Sequence, residues 1–212
     1  MPQSAPPDRC PGSPRIVPVP AGTILARVHS EGIEPHYFRS LPSPEATGGR
    51  FDPPEGEYGV LYASARGPAA IAEALLRQLP AVELTGPRYL PAVELARRKL
   101  SLIQVLRKLP LVALHGAHLA QLGQDLWLSK CGPQEYAETR LWAEAIRDWA
   151  PKAAGFEWRS RMDEDALVYV FFSDWVPEGS LAPARLSVPL DEGEGLQIVR
   201  KELLRHNVVL SL

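Results

Sequence analysis

The stretch that decides the fold is Tyr58-Gly59-Val60-Leu61-Tyr62-Ala63-Ser64, followed by Gly67-Pro68 and then Ala70-Ile71-Ala72-Glu73-Ala74-Leu75-Leu76. Val60-Leu61-Tyr62-Ala63 is a short continuous apolar run and reads as a compact buried strand. Gly67-Pro68 opens a helix, because proline in the first turn lacks an N–H that would have no partner there anyway. Ile71, Leu75 and Leu79 recur at four-residue spacing and give this helix a core stripe, expected to reach about Leu79 with Pro80 ending it. Glu73 breaks the pattern: a carboxylate among Ala, Ile and Leu needs either a partner or a task. Just upstream, Gly48-Gly49-Arg50-Phe51-Asp52 sets an arginine between glycine and an aromatic residue.

Working outward, residues 23–29 (Thr-Ile-Leu-Ala-Arg-Val-His) read as a strand, and residues 30–57, rich in Pro, Gly, Ser and Glu, as a long loop of the kind that carries function. Residues 88–95 and 102–106 read as further strands, and residues 117–122 as a short helix closed by Gly123. Residues 135–149 form a longer helix whose buried side is marked by Trp142, Ile146 and Trp149. Residues 156–160 and 166–172 are expected to be strands joined by a turn, and the proline-rich residues 177–189 a surface excursion. Gly193-Glu194-Gly195 reads as a flexible turn, residues 198–205 as a last helix and residues 208–210 as a terminal strand. Strands and helices do not alternate regularly, so the fold class is α+β, a single mixed-sheet domain. Seven of the first twenty residues are proline, so residues 1–20 are expected to be extended or disordered and residues 21–212 to form the domain.

Composition excludes several classes. A net charge of -2, with scattered cations, argues against direct nucleic-acid binding; Arg97-Arg98-Lys99 is the one tight basic cluster and reads as solvated turn surface. Two distant cysteines, Cys10 and Cys131, make no disulfide framework and suit a reducing cytoplasm. No signal-peptide pattern and no membrane-length apolar run is present. There is no G-x-G-x-x-G after a strand, no Walker loop and no G-x-S-x-G elbow. His115, His118 and Cys131 lack the spacing of a metal site, and no metal is expected.

The candidate site residues each admit a plainer account. Arg27, near the end of a core strand, suits a guanidinium that snorkels to solvent, and Arg50 suits a loop arginine paired with Asp52. Taken together they offer two planar cationic forks near one loop, which match the oxygens of a diphosphate. Glu73 has Arg77 one turn on, an i,i+4 pair of about 0.3–0.5 kcal/mol, yet its other helical neighbours are apolar. Ser160, between Arg159 and Arg161, suits a turn cap, and Tyr62 suits core packing with a satisfied hydroxyl.

The ordered set Leu25-Ala26-Arg27-Val28, Gly49-Arg50-Phe51, Val60-Leu61-Tyr62-Ala63-Ser64, Ala70-Ile71-Ala72-Glu73 and Gly155-Phe156-Glu157-Trp158-Arg159-Ser160-Arg161 resembles the RES-domain family, as does Tyr136-x-x-Thr139-Arg140-x-Trp142-Ala143. The resemblance covers residues 21–172. It places the family's Arg, Glu and Ser at Arg27 or Arg50, Glu73 and Ser160. It implies a fold related to the ADP-ribosyltransferases and NAD+ as substrate, with Arg27, Glu73 and Ser160 as catalytic residues and Arg27, Arg50, Tyr62, Glu73 and Ser160 at the NAD+. It also implies a cytoplasmic toxin neutralised by a DNA-binding antitoxin, and an oligomer formed with that antitoxin. Family members cleave NAD+ by phosphorolysis or hydrolysis, or transfer its ADP-ribose to a protein; a non-enzymatic interaction module is the third possibility. Val28 departs from the family, in which an aromatic is common at that position, and His29 as its replacement sits on the other face of the strand.

Overall fold

The strand–helix unit read from residues 58–76 is present in the structure, a computed structural model that describes residues 5–40, 48–77, 79 and 86–211. Its strand is β3 (Val60–Ser64) and its helix α1 (Gly67–Leu75), with proline in the first turn as expected. The helix closes at Leu75, where the Leu76 N–H turns back to the Ala72 carbonyl, one turn short of Leu79; Pro80 lies outside the described residues. The remaining strands are β1 (Ile16–Val19), β2 (Ile24–Ser30), β4 (Arg88–Pro91), β5 (Arg98–Val105), β6 (Leu109–Ala113), β7 (Gly155–Arg159), β8 (Leu167–Phe172), β9 (Leu181–Pro189) and β10 (Val208–Ser211). The remaining helices are α2 (His118–Gln121), α3 (Trp127–Lys130), α4 (Tyr136–Trp149) and α5 (Gly193–Arg205).

Eight strands form one sheet in the order β1-β6-β7-β8-β3-β2-β5-β9, and β10 pairs with β4 in a separate two-stranded parallel sheet. Within the large sheet β6 and β7 run parallel and every other neighbouring pair is antiparallel. The α+β class therefore holds. β2 and β5 pair along seven residues from Ile24↔Gln104 to Ser30↔Arg98, whereas β2 and β3 pair only at Ala26↔Ser64. Beyond that pair the sheet opens, and a cavity is lined by Arg27 to Ser30 on one strand and by Val60, Tyr62 and Ala63 on the other. This split positions the site.

Apolar side chains pack on both sides of it. Trp142, Ala143 and Ile146 of α4 cover Val112, Phe156, Val170 and Phe172, with Phe51 closing edge-on against Phe156 and Trp158. Ile71, Leu75 and Leu76 pack with Ala26, Leu100, Leu90, Val199 and Val208. Each such fully buried Leu, Ile or Phe contributes about 1.5–3 kcal/mol, so the strands that flank the split are firmly held. Among the described residues no helix is long and apolar enough to cross a membrane.

Several expectations change. The sheet begins before Ala21, because Ile16–Val19 forms its edge strand against Leu109–Val112. Residues 92–95 are a single 3-10 turn after Pro91 rather than a continuation of β4. Arg97 does sit in an exposed turn, but Arg98 and Lys99 begin β5. β6 and α3 add to the expected elements. Residues 181–189, within the expected surface excursion, form edge strand β9; its prolines are tolerated because an edge leaves one row of N–H groups unpaired, and the register shifts opposite Ser101 and Ile103. Gly193-Glu194-Gly195 is the first turn of α5 rather than a flexible turn. Glycine is required at 195, where a Cβ would stand 1.8 Å from the Pro189 carbonyl oxygen.

Candidate active site

The cavity in the split has a volume of about 470 Å³, within the range of small-molecule sites. Helix α1 forms one side and presents Ala70, Glu73 and Ala74 to it, with Arg77 just past its end; the Gly48–Arg50 turn and Tyr136 form another. Among its described lining residues Glu73 is the only carboxylate, against the cations of Arg27, Arg39, Arg50, Arg77 and Arg98.

Glu73 is held by the turn that follows β7. Its Oε1 accepts a hydrogen bond from Ser160 Oγ at 2.5 Å and another from the Arg161 backbone N–H at 2.9 Å. Neither bond uses Oε2. Glu73 forms no ion pair with Arg77, so the i,i+4 account of this carboxylate does not hold. Ser160 is fully buried and lies behind Glu73 rather than on the cavity wall. While its hydroxyl donates to Glu73, its oxygen accepts the Met162 and Asp163 N–H groups, each at 3.0 Å. One proton and two lone pairs are thereby used, which saturates the serine. Lys130, at the end of α3, fixes the same turn by donating to the Arg159 and Ser160 carbonyls at 2.9 and 2.6 Å.

Arg27 and Arg50 both reach the cavity, and both donate to backbone carbonyls. Arg27 is 7% exposed, not snorkelling; its Nη1 donates to the carbonyls of Pro35 (2.7 Å) and Tyr37 (2.6 Å), which ties the start of the long loop to β2. Burial, together with the neighbouring Arg39 charge, brings the Arg27 pKa down to about 10. Arg50 does not pair with Asp52. Its Nη1 faces Cys131 Sγ at 2.8 Å and the Leu128 carbonyl at 3.4 Å, its Nη2 donates to the Cys131 carbonyl at 3.0 Å, and its guanidinium lies 5.0 Å from the centroid of the Tyr136 ring. Burial raises the Cys131 thiol pKa, with the Arg50 charge opposing that shift.

Asp52 instead pairs with Arg39 at 2.5 Å, an arginine that no sequence motif singled out. Asp52 is fully buried; its Oδ2 also accepts the Gly49 N–H at 2.8 Å and its Oδ1 accepts the Tyr62 hydroxyl at 2.8 Å. Tyr62 in turn accepts the Phe51 N–H at 2.9 Å, so its hydroxyl is satisfied and its ring remains as wall. Burial and the Asp52 carboxylate push the Tyr62 pKa well above its ordinary value. Gly49 is needed here, because a Cβ would stand 2.6 Å from the Tyr62 hydroxyl.

Val28 and His29 both border the cavity, so the departure at Val28 falls on its wall. His29 Nε2 meets Ser101 Oγ at 2.8 Å, and burial lowers its pKa. His115 pairs with Glu157 at 3.1 Å, and the described residues contain no group of three or more His, Cys, Asp or Glu able to hold a metal. The structure thus brings Arg27, Arg50, Tyr62 and Glu73 to the wall of one cavity and sets Ser160 behind Glu73. Chemically, the arrangement suits an anionic ligand that develops positive charge next to a fixed carboxylate.

A family model described as the RES domain matches residues 24–191, which takes the likeness past residue 172 and through β9. No curated protein matches the chain. Among solved structures, a chain in the crystal structure of the M. tuberculosis MbcT–MbcA toxin–antitoxin complex has a TM-score of 0.57 and 15% sequence identity, over 88% of this chain and 92% of that one. At that identity the likeness is one of fold.

Proposed function

The chain belongs to the RES-domain family, and from that premise we propose that it cleaves the nicotinamide–ribose bond of NAD+, by phosphorolysis or hydrolysis, as the toxin of a toxin–antitoxin pair. The observation that carries the reading is Glu73, a carboxylate on the wall of an arginine-rich cavity with one oxygen tied back and the other not used by that tether.

The chemistry asks little else of the protein. The nicotinamide nitrogen is already cationic, so when the bond to C1′ breaks both electrons go to the ring and nicotinamide leaves neutral, without a general acid. The ribose becomes oxocarbenium-like, as in glycoside cleavage, and Glu73 stabilises that charge. Ser160 and Arg161 keep the carboxylate from rotating away, which makes Ser160 a positioning residue for Glu73. Tyr62 supplies a rigid aromatic wall, and the arginines favour the diphosphate. An oxygen of phosphate or water then bonds to C1′ from the open side; with water, its surplus proton goes to solvent.

Purified protein should release nicotinamide from NAD+, and Glu73→Gln should lower that rate at least ~100-fold, the scale of one lost transition-state electrostatic contact. Undiminished turnover by that variant would falsify the assignment. Product analysis reads the acceptor: ADP-ribose 1″-phosphate for phosphate, ADP-ribose for water, and label retained on protein for a transferase.

The toxin role is supported by the fold likeness to a chain of a toxin–antitoxin complex. Induced expression should arrest growth, Glu73→Gln should relieve the arrest, and the product of a small neighbouring gene, a DNA-binding antitoxin, should relieve it for the wild type. Unimpaired growth on wild-type expression without that gene removes the toxin role.

A further inference from the structure

The arginines around the cavity differ in what holds each guanidinium. Arg27 has Nη1 on two carbonyls, and Arg50 has both Nη groups on Leu128 and Cys131. Arg98 pairs through Nη2 with the exposed Glu94, and Arg77 forms no ion pair among the described residues, so neither has a buried carboxylate behind it. Arg39 is arranged differently. Its backbone is pinned to Val60 by a reciprocal pair of hydrogen bonds, N–H to carbonyl at 2.9 Å and N–H from Val60 at 2.8 Å. Its side chain lines the cavity, is 39% exposed, and is gripped at Nη2 alone by Asp52. Among the described residues, Nη1 and Nε of Arg39 make no hydrogen bond. Asp52 is fully buried and cannot swing away, because the Gly49 N–H and the Tyr62 hydroxyl hold its carboxylate.

A buried carboxylate behind a half-exposed guanidinium is a device for orienting an arginine: it fixes the plane of the fork and leaves the other donors pointing at a ligand. The Arg27 charge lies close enough to Arg39 to be felt electrostatically, so two cations converge on this part of the wall before any ligand arrives. Like charges held near each other favour an anion between them.

We propose that Arg39, oriented from behind by Asp52, is the arginine that grips the diphosphate of the bound dinucleotide, with Arg50 serving mainly to tie the Gly48–Asp52 turn to the end of α3. This rests on the NAD+ reading of the cavity and adds to it a phosphate-binding residue outside every quoted motif.

The test measures the affinities of ADP and adenosine, by calorimetry, for wild type, Arg39→Met and Arg39→Lys. The ratio of the two affinities isolates the phosphate contribution and cancels any general loosening of the pocket. Wild type should prefer ADP, and Arg39→Met should reduce that preference about 10- to 100-fold, the range for losing a hydrogen bond to a charged group. Arg39→Lys keeps a cation but has no fork to share between Asp52 and a phosphate, and should fall between the two. An unchanged ratio in Arg39→Met, or a wild-type ratio in Arg39→Lys, overturns the proposal. If Arg39→Met does not fold, Arg39→Lys and Asp52→Asn decide: Asp52→Asn removes the orienting charge and should also lower the ratio, and a wild-type ratio there refutes the orienting role. The NAD+ reading fails separately, if wild type binds neither ADP nor NAD+.

Discussion

Replacing Ser160 by alanine tests whether this serine acts through Glu73 or on the substrate directly. The substitution deletes the Oγ–H that reaches Glu73 Oε1 at 2.5 Å and the oxygen that accepts the Met162 and Asp163 N–H groups. A hydrogen bond to a charged acceptor contributes about 1.5–3 kcal/mol; expressed wholly in the transition state, that is ~10- to 150-fold in kcat. The two backbone N–H groups belong to half-buried residues and lose neutral bonds of about 1 kcal/mol each, so the melting temperature should fall by roughly 4–8 °C. The decisive assay is a double-mutant cycle with Glu73→Gln, following nicotinamide release. If Ser160 works by holding the carboxylate, adding Ser160→Ala to Glu73→Gln should change kcat by less than ~3-fold, because the group being positioned is already lost. Full additivity of the two losses refutes the argument. So does a Ser160→Ala variant with raised KM and wild-type kcat, since that is the behaviour of a residue binding the ground state directly.

Three further outcomes follow from the same geometry. His29 has a lowered pKa in the folded protein, through burial first, with Arg27 and Lys99 opposing the proton and the Ser30 carbonyl and Glu34 favouring it. Its contribution to stability is therefore complete above its ordinary value of about 6.5 and is lost as the pH falls through the lowered one; melting curves between pH ~7.5 and ~5.5 should show wild type losing more than His29→Gln, and parallel losses contradict this. Arg50→Met removes the donors that join the turn to Cys131 and Leu128 and should destabilise the fold by about 2–4 kcal/mol in urea titrations, whereas an unshifted midpoint would return Arg50 to the substrate alone. Gly49→Ala drives a methyl into the Tyr62 hydroxyl and Asp52, at a cost of about 1–3 kcal/mol, and should weaken ADP binding with it; wild-type stability and affinity together would show that the turn is not tightly held.

What could be read from the sequence was local or periodic. The β3–α1 unit, the α4 stripe and the β7–β8 hairpin each carry their signal within one short stretch of chain, and each is present. β6 and β9 went unread because Pro110, Pro183 and Pro189 mask strands whose pairing depends on partners far along the chain. The start of α5 went unread because Gly195 is there for contact with the Pro189 carbonyl, which no local pattern reveals. At the site, Glu73 was visible as an anomaly in an apolar helix, and Ser160 through family order. That they form one hydrogen-bonded unit depends on the tertiary meeting of α1 with the turn after β7. Arg39 gives no signal at all: it sits in aperiodic sequence, and the carboxylate it pairs with stands nearer in the chain to Arg50. Proximity in sequence misled there because Arg50 turns away toward α3, where a thiol, two carbonyls and an aromatic face receive it.

The charge pattern of the cavity poses a physical problem whose resolution orders the parts. Arginines that attract a diphosphate also oppose the ribosyl cation, and Glu73 is the only described lining carboxylate set against them. At an effective dielectric of about 20, unit charges ~4 Å apart interact by about 4 kcal/mol and at ~8 Å by about 2 kcal/mol, so one carboxylate in contact with the ribose offsets two uncompensated arginines at twice that distance, and no more. The arginines must therefore be largely neutralised when the bond breaks. Some of that is built in: Asp52 stands behind Arg39 and Glu94 beside Arg98. The diphosphate supplies the remainder, so a substrate lacking it should meet a site that repels the developing cation. Nicotinamide riboside should then be cleaved with a lowered kcat as well as a raised KM, the signature of remote binding interactions that act on the chemical step. A loss confined to KM would mean that the arginines only capture the substrate and that Glu73 acts without their help.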